Sequence, residues 1–139
     1  KLKNIIKNTD ADIIIWTYKL KNILYSNKDN FAYIRNKNDE IMMVQEKKTV
    51  SNNYENDDFV IGTFFFKKAS DFYSCIKKSI VNNNRINDEF YIGNSINYAI
   101  KNKKKVIKFE IDSWVSFGTP FELEIFYYWE EFFYNLNGN

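Results

Sequence analysis

Apolar residues in this chain fall into short runs separated by polar stretches, and the spacing within each run predicts an element. Between Asp12 and Tyr18 the run Ile-Ile-Ile-Trp-Thr is β-branched, apolar on both faces and too short for a helix, so it predicts a buried central strand. Phe31 to Arg35 and Ile41 to Glu46 are split by Asn36-Lys37-Asn38-Asp39, whose Asn and Asp residues suit a tight turn; together they predict a hairpin. After the polar stretch from Thr49 to Asp58, Phe59-Val-Ile-Gly-Thr-Phe-Phe-Phe is again strand-like. Gly62 interrupts it, either as a β-bulge or where another backbone or a ligand comes close.

The second half of the chain alternates helices with a strand. Ser70 and Asp71 can cap a helix whose Phe72, Cys75, Ile76 and Ile80 share a face, ended by Asn82-Asn83-Asn84. A second helix is expected from Asp88, with Phe90, Ile96, Tyr98, Ala99 and Ile100 inward, Asp88 and Glu89 in its first turn and Lys101 to Lys105 closing it. Val106 to Ile111 alternates as a half-buried strand does. Thr119, Pro120 and Glu122 then form a capping box ahead of an aromatic helix, Phe121 to Tyr134. Strands first and βα units later predict an α/β layer structure, one domain over residues 1–139 or part of a larger one.

Composition narrows the chemistry. No apolar run approaches the roughly 18 residues of a membrane span. Lys and Arg number 20 against 18 Asp and Glu, spread along the chain, which does not favour nucleic acid; the run Lys101 to Lys105 is read as a solvated turn. The chain has no His and one Cys, which excludes His/Cys zinc sites and Ser-His or Cys-His nucleophiles and leaves oxygen as the donor for any metal. The opening residues lack the order of a secretory signal, so a cytoplasmic location is expected.

Four blocks, taken in order, carry a resemblance: Val44-Gln45-Glu46-Lys47, Phe59 to Phe66 around Gly62, Asn87-Asp-Glu89-Phe-Tyr91, and Asp112-Ser-Trp114 through Gly118-Thr-Pro120. Together they resemble the sugar-1-phosphate nucleotidylyltransferases of the nucleotidyltransferase superfamily, in the bacterial branch that serves capsule and lipopolysaccharide synthesis. The likeness is to the C-terminal, acceptor-binding half, because no Gly-rich GxGxR loop occurs in the chain. It implies a partial nucleotide-diphospho-sugar transferase-like, Rossmann-like three-layer sheet lacking its N-terminal nucleotide-binding half. The implied activity is transfer of a nucleotidyl group from an NTP to a sugar phosphate or similar acceptor, with pyrophosphate released. By itself the chain would then be inactive, with the missing half or a partner subunit supplying the nucleotide site.

The resemblance also implies a site. Lys47 would neutralise phosphate charge as the catalytic residue, with Glu46 accepting hydrogen bonds from an acceptor hydroxyl, and Gly62 and Glu89 completing the substrate contacts. Mg²⁺ is implied as cofactor. The family's aspartate two residues before Gly-Thr is Ser116 here, so Asp112, four positions earlier, is the candidate ligand. For Glu89 the plain alternative is a carboxylate on a helix dipole. The aromatics of Phe126 to Tyr134 are read mainly as core and interface packing, some covered by the absent half or a second copy, so that the isolated chain exposes an apolar patch and tends to associate. A different class of reading is a non-catalytic binding or oligomerisation module. Convergence of Glu46, Lys47, Glu89 and Asp112 on one pocket separates the two.

Overall fold

The computed structural model describes residues 2–19, 28–136 and 138. Its elements are α1 (Leu2–Asn8), β1 (Ile13–Lys19), β2 (Ala32–Lys37), β3 (Glu40–Glu46), β4 (Asp58–Phe66), α2 (Ala69–Val81), α3 (Ile92–Lys101), β5 (Val106–Glu110) and α4 (Pro120–Leu136). The five strands close into a small barrel in the order β1-β4-β2-β3-β5, with β5 returning to β1.

This corrects the expected three-layer Rossmann-like sheet. Such a sheet needs consecutive parallel strands with helices on both faces, whereas here only β1 and β5 run parallel, and β4, β2 and β3 form antiparallel pairs. Two irregularities bend the antiparallel part enough to close it. One is in β4, which spends three residues, Ile61 to Thr63, against Trp16 alone, with Gly62 at φ +84°; the other lies at Arg35/Asn36 of β2. Closure itself is thin. It rests on the pairing of Glu40 with Ile107 and on the Lys108 amide donating to the Asp39 carbonyl at 2.8 Å.

Beyond that pair the outer edge of β3 is covered by α3 rather than by a strand. The Asn97 side chain imitates a neighbouring strand: its Oδ1 accepts from the Val44 amide at 2.9 Å and its Nδ2 donates to the Val44 carbonyl at 2.8 Å. Behind this contact the core forms where Ile13, Ile15, Ile34, Val44, Val60 and Val106 meet Cys75, Ile96 and Ala99. On the outer face Tyr33 and Phe59 are fully buried, and Trp114, from the segment after β5, lies edge-on to Phe59 and Phe31 at 5.2 and 5.9 Å.

Two helices depart from expectation. The second starts at Ile92, because Asn87 and Asp88 both take left-handed φ and a bridge between Ile86 and Glu89 closes a turn there. The aromatic helix forms with its cap as expected, the Glu122 amide donating to Thr119 Oγ1 at 3.2 Å. It buries none of its residues, however, so its aromatics are not core. Trp129, Phe132 and Phe133 pack on one another while remaining exposed. The basic run behaves as a turn anchored by acids: Lys104 pairs with Asp71 at 3.2 Å and Lys105 with Asp10 at 2.7 Å. No described helix is long and apolar enough to cross a membrane.

Candidate functional site

Glu46 is the last residue of β3, and its carboxylate reaches the start of α3, where Oε1 accepts from the Asn94 amide at 3.2 Å. The helix has no acid of its own in its first turn, so this distant side chain fills the role assigned to Asp88 and Glu89. Gly93 makes room for it. A Cβ there would lie 2.6 Å from Glu46 Oε1 and 3.3 Å from Val44 Cγ1. Burial costs the Glu46 charge more than the Asn94 hydrogen bond and the Lys47 ammonium return, and its pKa is raised to about 7.

Lys47 follows in a left-handed conformation, φ +56°, with its amide donating to the Phe31 carbonyl at 2.8 Å. That turn carries its ammonium over the Tyr91 ring, 5.5 Å from the centroid. Tyr91 in turn donates its hydroxyl to Glu89, and this hydrogen bond, with smaller contributions from desolvation and the nearby carboxylates, pushes the phenol up to about 12. Glu46, Lys47 and Glu89 are thus brought together through Tyr91, which the sequence reading passed over although it closes the Asn87 to Tyr91 block.

Sheet register places the other two residues. Ala32 pairs with both Glu46 and Val60, and Val60 pairs with Thr17, itself opposite Glu110. β3 and β4 run the same way, so Lys47 and Gly62 leave this row at the same end, two strand spacings or roughly 10 Å apart. Space at Gly62 is open, since an added Cβ would meet nothing within 4 Å; the bulge, not crowding, accounts for the glycine. β5 runs the opposite way, and Asp112 leaves it at the other end of the barrel, exposed. Among the described residues no three carboxylate or thiol groups gather as a cation cage, at Asp112 or elsewhere.

Beside Glu46 a cleft of about 570 Å³ opens between β3 and α3, with Gln45, Asn94, Asn97 and Tyr98 on its walls. Asn94, Asn97 and Gly93 were also missed by the sequence reading. A glycine inside a helical pattern is the one available signal, because it often marks a close approach. If the Gly93 contact holds Glu46 in place, Gly93→Ala destabilises the wild type by about 1 kcal/mol, the lost charge-assisted bond outweighing alanine's better helix propensity. In a Glu46→Ala background the same change becomes neutral or stabilising. Urea midpoints of the four proteins measure the coupling, and equal effects in both backgrounds remove it.

No family model matches the chain and no curated protein matches it in sequence. Among solved structures, the nucleoside-diphosphate-sugar pyrophosphorylase from Vibrio cholerae RC9 superposes with a TM-score of 0.71 at 16% identity, over 88% of this chain and 48% of that one. The likeness is one of fold. The chain spans about half the length of that pyrophosphorylase, and the match takes in most of the barrel-and-helix arrangement described above.

Proposed function

We propose that the chain is the acceptor-binding part of a nucleotidyltransferase, which moves a nucleotidyl group from an NTP to a sugar phosphate or similar acceptor and releases pyrophosphate. The observation that supports it best is the gathering of Glu46, Lys47 and Glu89 at one end of a fold shared with half of a nucleoside-diphosphate-sugar pyrophosphorylase. In this reading Lys47 meets the acceptor phosphate and Glu46 holds a hydroxyl, the positioning and charge neutralisation that phosphoryl chemistry mainly requires. Mg²⁺ would arrive with the triphosphate, and no step here depends on Asp112. Surface-polysaccharide assembly would be the use of the product.

The test is an amide NMR titration with a sugar 1-phosphate. Saturable shifts are expected at Glu46, Lys47, Gly62 and Tyr91, and Lys47→Ala weakens binding by about tenfold. Unmoved resonances at these four positions would sink the reading. A binding or oligomerisation module is the second reading, favoured by one feature: the uncovered aromatic surface of α4.

A further inference from the structure

The other mouth of the barrel has chemistry that the acceptor reading leaves unused. β1 and β5 end there and β4 begins there. Asp58, the first residue of β4, has a side chain only 3% exposed and lies between two lysines: Lys19 Nζ is 2.8 Å from Oδ1, and Lys108 Nζ is 2.8 Å from Oδ2. Each ammonium has three donors. Lys19 directs one to the Asn56 carbonyl at 3.1 Å while standing beside Asp58, whose Oδ1 still lacks an aligned hydrogen bond. Lys108 directs one to Asp58 and one to Glu110 at 3.4 Å. Among the described residues at least one N–H on each is therefore left over.

A cavity of about 390 Å³ opens around them, with Arg35, Asn36, Ser51 and Asn56 also on its walls. The Arg35 side chain has no hydrogen-bond or ion-pair partner among the described residues. The remaining acid on the wall, Asp57, is occupied by the Val50 and Ser51 amides at 3.0 and 3.1 Å and by the Ser51 hydroxyl at 2.6 Å. Three cations thus line the space against two acids on its wall, with Glu110 also meeting Lys108, and the leftover groups are the ammonium donors, the Arg35 guanidinium and one Asp58 oxygen.

We infer that this mouth binds a phosphate group, held by the Arg35 fork and by the leftover donors of Lys19 and Lys108. A planar guanidinium matches two oxyanion oxygens at once, and the ammonium groups serve as point charges beside it. The cavity is larger than a phosphate needs, and Asn36, Ser51 and Asn56 line the remainder with neutral polar groups suited to a small organic body. The site lies at the opposite end of the barrel from Lys47 and does not rest on the acceptor reading.

The test is an amide NMR titration of the whole chain at constant ionic strength, once with inorganic phosphate and once with glycerol 3-phosphate. Saturable shifts are expected at Arg35, Asn36, Ser51 and Asp58, and Arg35→Gln, an exposed position that leaves the fold intact, weakens binding by about tenfold. Equal affinity for both probes assigns the site to free phosphate; tighter binding of glycerol 3-phosphate assigns it to a phosphorylated metabolite. Asp58→Asn supplies a second arm, because phosphate should raise the melting temperature of that variant more than that of the wild type. The inference is overturned if neither probe saturates at these amides, if Arg35→Gln binds as the wild type does, or if shifts occur only around Lys47 and Tyr91.

Discussion

Replacing Glu46 with Gln is expected to stabilise the protein at pH 8 by about 2 kcal/mol and to remove a slope from its stability profile. In the folded chain burial raises this carboxyl from 4.5 to about 7, against the Asn94 amide and Lys47, which favour the charged form. The folded state therefore binds a proton that the unfolded state has already released between those two values. Stability falls as pH rises through that window and levels off above it. The full shift corresponds to roughly 3 kcal/mol, and partial exposure of the side chain reduces what is expected. Gln keeps an oxygen for the Asn94 amide and carries no charge to desolvate. Urea unfolding of both proteins from pH 4.5 to 8 provides the comparison, with parallel profiles ruling the argument out. Under the acceptor reading proposed above the same proton would matter, because a protonated Glu46 can donate to a hydroxyl where the carboxylate only accepts.

What the sequence made legible follows the range of the interaction responsible. β1, the β2–β3 hairpin, β4, α2 and β5 all announce themselves through short-range pattern, and each forms within a residue or two of its expected place. Asn38 takes the left-handed turn conformation that its amide side chain tolerates, and Thr119 caps α4 through its own hydroxyl. Closure into a barrel was not legible, because it depends on how far the Gly62 bulge and the Arg35/Asn36 irregularity bend the sheet. The start of α3 was misplaced for a related reason: the carboxyl that meets its first-turn amide is that of Glu46, 46 residues before Ile92 and on another element. Glu46 and Lys47 were legible as candidates, whereas Tyr91, which joins Lys47 to Glu89, became visible only once the turn at Asn87 and Asp88 was in place.

The Asp58 triad leads to the other large effect. Asp58→Asn is expected to cost about 3 kcal/mol at pH 7, since it removes the counter-charge of the largely buried Lys108 ammonium while preserving shape. Burial alone would lower the Lys108 pKa, but its hydrogen bond to Asp58 and its attraction to Asp58 and Glu110 outweigh this and hold it above the ordinary lysine value. Without Asp58 the balance reverses: Lys108 must either release its proton or remain charged in a poorly solvated place, whereas the more exposed Lys19 turns toward water. A depressed lysine pKa makes stability rise with pH, so the deficit of Asp58→Asn should shrink toward pH 10. Adding Lys108→Met, which fills the same space without charge, should recover most of the loss at pH 7, as uncharged replacements of buried ion pairs commonly do. Urea midpoints of the wild type, the single variant and the double variant at both pH values measure each step. If Asp58→Asn unfolds at the wild-type midpoint at pH 7, the lysines are solvated well enough that Asp58 contributes no more than a surface ion pair.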